Sequence, residues 1–193
     1  MTSDTSDERT LIDRVAGGDR TAFEQLYTVY YPRLFRFLLR YTASLGHVEE
    51  LVNDVMLVVW NRASDFRGGS KVSTWILGIA YRKGLKSLDR DRRRPHHEDI
   101  DDISLTSTEG PEQDLSRRQL RDQVIAALSR LPPEQRAVLE LTYYHGCSYP
   151  EIAEILGCPH NTVKTRMFHA RRKLRDILPE LERGAERRGG LDR

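Results

Sequence analysis

From Asp19 to about Tyr41 the apolar positions Phe23, Leu26, Tyr27, Tyr30, Leu34, Phe37, Leu38 and Tyr41 recur three or four residues apart. That interval gathers side chains on one face of a helix turning every 3.6 residues. The spacing predicts a helix with one buried face and a kink at Pro32, which lacks the N–H the helical ladder uses. A shorter helix over residues 7–16 precedes it and ends at Gly17-Gly18. From Val48 to Phe66 no Gly or Pro interrupts the chain. Its middle, V-M-L-V-V-W, suits a buried strand by composition, but the length of the segment predicts a helix from about His47 to Asp65. Apolar all round at that point, it is expected at the centre of its bundle. After the loop Phe66 to Lys71, Ser73 or Thr74 can cap a helix carrying Trp75, Ile76, Ile79, Leu85 and Leu88 on one side.

A second helical series follows: Leu115 to Arg130, then Pro132-Pro133 to about His145, then Ser148 to Leu156, then His160 to Leu178. No alternating strand pattern or Asn-Gly hairpin signal occurs. The fold class expected is all-α, with two small helical domains joined by a flexible acidic linker. The divisions are a tail and short helix over residues 1–18, a first domain over 19–94, a linker over 95–114, a second domain over 115–178 and a tail over 179–193. A length of 193 residues fits one ordinary domain or two small ones. With 38% hydrophobic and 31% charged residues, each core must be small, which argues against one large catalytic fold.

Net charge is only +2, yet the signs are segregated. Arg82 to Arg94 holds seven basic residues against two acidic ones; Glu98 to Asp114 holds seven acidic residues and no basic one; Lys164 to Arg175 holds six basic residues and no acidic one. Two cationic stripes flanking an anionic linker suit two contacts with a polyanion and a tether that avoids it. The linker, rich in Asp, Glu, Ser and Thr, has too few apolar side chains to order itself.

Ser148-Tyr-Pro-Glu151 has the S-x-x-E spacing of a capping box and sets a helix start. That helix ends at Gly157, which supplies a left-handed turn; Ala153 permits close approach, and Ile152, Leu156 and Val163 fill the corner. Asn161 and Thr162 are expected to cap the helix that follows. The arrangement is a helix-turn-helix. Val163, Met167, Ala170 and Leu174 share one face of its second helix. Asn161, Thr162, Lys164, Thr165, Phe168, His169, Arg171 and Arg172 make up the other. Polar donors at the start and guanidinium groups further along suit a DNA major groove, the first reading base edges and the second holding phosphates. The alternative is a solvated basic face on an ordinary bundle helix.

The acidic, hydroxyl-rich start M-T-S-D-T-S-D-E-R is the opposite of a secretory signal, so a cytoplasmic location is expected. Membrane insertion is not: the longest apolar run, Val55 to Trp60, is far short of the roughly 20 residues that cross a bilayer. Cys147 and Cys158 cannot build a disulfide framework. His145-x-Cys147 and Cys158-x-His160 look like a paired metal site, but they lie at the two ends of one helix without Cys-x-x-Cys geometry. Neither metal nor cofactor is expected. No nucleotide-binding glycine loop, nucleophile elbow or H-E-x-x-H occurs, and no enzymatic activity is expected.

These segments, taken in order, resemble bacterial sigma factors of the extracytoplasmic-function group of the sigma-70 family, from about Thr10 to Leu178. The residues carrying the resemblance are F-E-Q-L-Y-T-V-Y-Y-P-R-L-F-R-F-L (Phe23 to Leu38), V-E-E-L-V-N-D-V (Val48 to Val55), F-R-G-G-S-K-V-S-T-W-I-L-G-I-A (Phe66 to Ala80), and L-P-P-E-Q-R-A-V-L-E-L (Leu131 to Leu141) running into Y-P-E-I-A-E-I-L-G-C-P-H-N-T-V-K-T-R-M-F-H-A-R-R-K-L.

The resemblance implies that the first domain binds core RNA polymerase and opens and reads the −10 promoter element, while the second reads the −35 element. It places polymerase docking on Glu49, Glu50, Leu51, Asn53 and Asp54; the family more often has Gln where Asn53 stands. By residue type alone these could equally form a solvated face. The resemblance places −10 contacts on Phe66, Arg67, Gly68, Gly69, Ser70 and Lys71, a loop that would receive a flipped base, and on Arg82, Lys83 and Lys86, which would hold the nontemplate strand. Glycines let backbone approach a base and the cations can hold phosphates, though a helix connection with Gly near a cap fits the same loop. Trp75 is expected to support the core. For −35 contacts it implies Pro159 and the outward face of the last helix, with His169 where the family often has Arg. The acidic linker matches in placement a family segment threaded through polymerase, and a plain flexible tether is an equal reading. Many relatives have an anti-sigma partner; nothing in these residues identifies one. Two other classes stand beside this reading. A helix-turn-helix regulator without polymerase docking leaves the first domain's basic helix unexplained. A serine recombinase would need its serine on a structured strand, whereas Ser3 and Ser6 lie in the amino-terminal tail.

Overall fold

The computed structural model describes residues 3–42, 44–93 and 123–189. Among them every regular element is helical, so the all-α expectation holds. The expected acidic linker, the start of the helix expected from Leu115, Arg94 and the last residues of the expected tail lie outside the described residues. By their contacts the described residues gather into two units, one of residues 3–93 with Pro150–Gly157 and one of residues 123–149 with 158–189.

In the first unit, α1 (Ser3–Ala16) begins earlier than the expected residue 7, and α2 (Arg20–Leu38) packs against it. Asp19 caps α2: its Oδ1 accepts the Ala22 N–H at 3.1 Å and Oδ2 accepts from Arg14 Nη2 at 2.7 Å. The Ala22 amide first, and then Arg14, hold its carboxyl below the ordinary value. α2 carries Pro32 within one continuous helix and stops at Leu38, short of the expected Tyr41. Its inward stripe of Leu26, Tyr30, Leu34, Phe37 and Leu38 is buried.

α3 (Leu45–Arg62) ends before the expected Asp65, where residues Ala63–Asp65 tighten into a single 3-10 turn. It packs against α1, α2 and the next long helix, and Val48, Leu51, Val52, Val55, Met56 and Val59 are buried. Its middle is not enclosed all round, because Leu57 is 57% exposed. α4 (Val72–Arg93) starts one residue before Ser73, so Ser73 and Thr74 sit in its first turn rather than capping it. Trp75 N–H already donates to the Lys71 carbonyl at 3.1 Å, and Thr74 is buried.

In the second unit, α5 covers residues 123–129 and α6 (Pro133–Tyr143) opens on Pro132-Pro133 as expected. Proline suits that place because the first helical N–H has no partner anyway. Arg136 Nη2 ties the connection by donating to the Ser129 and Leu131 carbonyls at 3.1 and 3.3 Å. Next along the chain comes α7 (Tyr149–Leu156), whose residues from Pro150 are grouped with the first unit; α8 (His160–Gly189), again of the second unit, packs against α6 and runs past the expected Leu178 through Pro179.

One packing contact was not visible in the helical pattern. Gly84, inside α4, lies against Tyr41, and a Cβ there would meet the ring at 2.7 Å. Tyr41 is itself buried between Phe37 and Tyr81, with ring centroids at 5.4 and 6.4 Å. A helix-interior Gly→Ala change ordinarily stabilises by about 0.5–1 kcal/mol, but overpacking costs roughly 1–3 kcal/mol. Gly84→Ala is therefore expected to lower the urea midpoint of the full chain; a raised midpoint would contradict the close packing.

Candidate nucleic-acid and protein interfaces

The chain turns between α7 and α8 at Gly157, whose φ of 62° is a conformation that glycine adopts without strain. Thr162 N–H donates to the Pro159 carbonyl at 2.8 Å and α8 already begins at His160. Asn161 and Thr162 thus lie in the first turn, not at the cap. Val163, Met167 and Ala170 are buried and Leu174 is half-buried. That seam turns the other side outward. Pro159, Asn161, Lys164, Thr165, Phe168, His169, Arg171 and Arg172 are exposed, and Thr162 is half-buried. Thr165 Oγ1 donates back to the Asn161 carbonyl at 3.0 Å. Phe168 is 62% exposed and meets His169 edge-on at 5.5 Å. Arg171 Nη2 donates to the Tyr143 hydroxyl at 2.8 Å. Cys158 is half-buried and takes Arg166 Nη1 at 3.6 Å from its sulfur.

In the loop before α4, Arg67, Gly68, Gly69 and Lys71 are exposed and Ser70 is half-buried. Phe66 is buried instead, packed on the half-buried Trp75 at 5.6 Å. The guanidinium of Arg9, from α1, lies 5.2 Å from the Phe66 ring centre. Asp13 orients it by accepting from Nε at 3.0 Å. Gly68 has φ 73°, and Arg9 occupies the space a side chain there would fill. Arg9 was not among the sequence candidates; more than fifty residues separate it from the loop, and no spacing rule joins them.

On α4, Arg82 and Lys86 are exposed and Lys83 is half-buried. Lys83 Nζ donates to Asp54 Oδ2 on α3 at 2.8 Å, so a candidate DNA contact is tied to a candidate polymerase contact. Glu49, Glu50, Asn53 and Asp54 are exposed, whereas Leu51 is buried beneath them. Lys83, Lys86, Ser87 and Arg90 line a groove with His47, Glu50 and Asp54. Arg90 Nη2 donates to His47 Nε2 at 2.7 Å, which leaves Nδ1 to carry the ring proton and donate to Thr42 Oγ1 at 3.1 Å.

A ladder of rings runs beside the acidic positions. Tyr27, Tyr31 and Phe35, four residues apart on α2, stack at 5.6 and 5.8 Å, and Phe23 sits edge-on to Trp60 at 5.1 Å. Tyr27 donates its hydroxyl to Asn53 Oδ1 at 2.8 Å. Burial raises the Tyr31 phenol above its ordinary 10.0, and the negative charge of Glu49 adds to this.

Two family models match the chain, Sigma-70 region 2 over residues 26–94 and Sigma-70, region 4 over residues 121–174. The chain is 31% identical over 185 residues to the ECF RNA polymerase sigma-E factor of Escherichia coli (strain K12), covering 91% of this chain and 96% of that one. Among solved structures it is similar to CnrH in complex with the cytosolic domain of CnrY, with TM-score 0.66, 26% identity, and 90% of this chain and 98% of that chain covered. It is also similar to the sigma factor RpoE in complex with the anti-sigma factor NepR from Bartonella quintana, with TM-score 0.65, 27% identity, and 81% and 96% covered.

The Tyr31 environment is open to direct titration. Followed through its own ring resonances by NMR, Tyr31 should ionise above pH 10.0, and Glu49→Gln should bring that midpoint part of the way down, since burial remains. A midpoint unmoved by Glu49→Gln would contradict the proximity of the carboxylate.

Proposed function

Because the chain belongs to the extracytoplasmic-function sigma factors of the sigma-70 family, we propose that it binds core bacterial RNA polymerase and directs promoter-specific transcription initiation. The observation that carries the reading is the outward face of α8: a buried seam of Val163, Met167 and Ala170 backs a stripe of polar and cationic side chains. A helix so held suits the major groove of the −35 element. Asn161, Thr162, Lys164, Thr165 and His169 lie where base edges come within reach, and Arg171 and Arg172 lie further along for phosphates.

The first domain opens and reads the −10 element. The exposed loop around Gly68 and Gly69 receives an unstacked base, Arg67 and Lys71 hold neighbouring phosphates, and Arg82, Lys83 and Lys86 track the nontemplate strand. Phe66, being buried, supports the loop from beneath through Trp75 rather than stacking on the base. Melting in this scheme uses no ATP: extruding a base costs a few kcal/mol, offset by capture and phosphate contacts. Glu49, Glu50, Asn53 and Asp54 meet a basic polymerase surface, with Leu51 fixing the register of α3 from below. The chain acts as an initiation factor in the cytoplasm and is not itself a catalyst. RpoE, solved with the anti-sigma factor NepR, supports the proposal that an anti-sigma factor also restrains this chain. No helix among the described residues is long and apolar enough to cross a membrane.

Transcription in vitro tests the proposal. The purified chain with core polymerase on a genomic promoter library is expected to yield defined starts that core polymerase alone does not make. Since Asp54 is tied to Lys83, Glu50 gives the cleaner docking test: Glu50→Lys should weaken capture of core polymerase on the order of tenfold by placing like charges together. A folded, DNA-binding chain that never produces defined starts would instead favour a helix-turn-helix regulator working without polymerase docking.

A further inference from the structure

Tyr143, the last residue of α6, is 63% exposed, more than most aromatic side chains of this chain, and its place is explained by a contact with α8. Its hydroxyl oxygen accepts a hydrogen bond from Arg171 Nη2 at 2.8 Å, and the Arg171 guanidinium carbon lies 5.9 Å from the ring centre. Arg171 stands seven residues after Lys164 and three after Phe168, on one stripe of the outward face. We propose that Tyr143 is a positioning residue for DNA binding: it holds Arg171 ready for a backbone phosphate of promoter duplex and adds its own hydroxyl to the same phosphate. The inference rests on the −35 reading above.

Both halves follow from donor and acceptor counting. An arginine side chain on a helix surface has many rotamers, and fixing one beforehand reduces the ordering loss on binding. The phenol fixes this one with a directed hydrogen bond and a ring surface. Because its oxygen accepts from Arg171, its own O–H proton remains available, and a phosphate oxygen is an acceptor without a donor of its own. Guanidinium and phenol thus offer adjacent donors to one anion. Helix packing supplies the juxtaposition: α6 and α8 pack together with Val138, Leu141, Val163 and Met167 among the buried residues, which brings the C-terminal end of α6 beside the middle of α8. A phosphate contact holds the duplex in register and does not distinguish bases.

The test uses the full-length chain assembled with core polymerase on a duplex promoter recovered from the transcription screen, with complex stability measured by competition. Tyr143→Phe keeps the ring and removes the hydroxyl. It is expected to weaken the complex on the order of threefold to tenfold, by the same factor on promoters differing in −35 sequence, with an unchanged thermal midpoint. In an Arg171→Ala background, Tyr143→Phe should cost less than it does beside Arg171, because only the hydroxyl's own bond to the phosphate is then lost. If Arg171→Ala weakens binding and Tyr143→Phe does not, the positioning role is wrong and the −35 reading stands. If Tyr143→Phe weakens binding equally with and without Arg171, or lowers the thermal midpoint in step with binding, its role is not through Arg171 and the proposal falls. If neither substitution alters the complex while Lys164→Ala does, Arg171 is no phosphate contact and the proposal falls with it. If Lys164→Ala and Arg172→Ala are silent as well, the −35 reading itself fails.

Discussion

Burial of Val163, Met167 and Ala170 decides which side of α8 meets solvent, and the chemistry assigned to the second unit depends on that choice. A helix of alternating charge has no preferred outward face until part of it is fixed in a core. Here three buried positions at intervals of four and three set the rotation, and α6 supplies much of the packing surface. Lys164, Phe168 and Arg171 then line up as one exposed stripe. Gly157 performs a related task at the other end, since its positive φ allows the reversal that starts α8 at His160.

The first unit applies the same logic on α3. Val48, Leu51, Val52, Val55 and Met56 anchor it, and the positions between them, Glu49, Glu50, Asn53 and Asp54, form an acidic rim. That rim is not isolated. Asn53 takes the Tyr27 hydroxyl and Asp54 takes Lys83, so polar side chains proposed to meet a protein are already oriented by α2 and α4. An exposed pair such as Asp54 with Lys83 adds little stability in water; its interest is that it joins residues assigned to two different partners.

Much of this was legible in the chain itself, and the parts that were not have physical reasons. The buried stripe of α2 and the seam of α8 follow from a 3.6-residue period, and Pro132-Pro133 announces the start of α6. Helix ends differ: Ser73, Thr74, Asn161 and Thr162 are all good caps by type, yet each lies within a first turn because Lys71 and Pro159 already supply the opening carbonyls. Leu57 was expected inside because composition does not say how many neighbours surround a helix, and α3 is left open on that side. Phe66 belonged to a loop rich in glycine and cations, but its ring finds Trp75 and Arg9 and is buried. Contacts between distant positions, such as Arg9 with Phe66, Gly84 with Tyr41 and Tyr143 with Arg171, have no periodic signature at all.

The central claim is that the amino-terminal half grips unwound promoter bases while the carboxy-terminal half holds duplex. Gly69 is suited to report on it, because nothing lies within 4 Å of the position a side chain would take. A photoreactive phenylalanine placed there, in the full chain assembled with core polymerase on an active promoter, should cross-link to nontemplate bases of the −10 element once the complex has opened. Cross-links confined to closed duplex, or none at all from a complex that is making transcripts, would contradict the account.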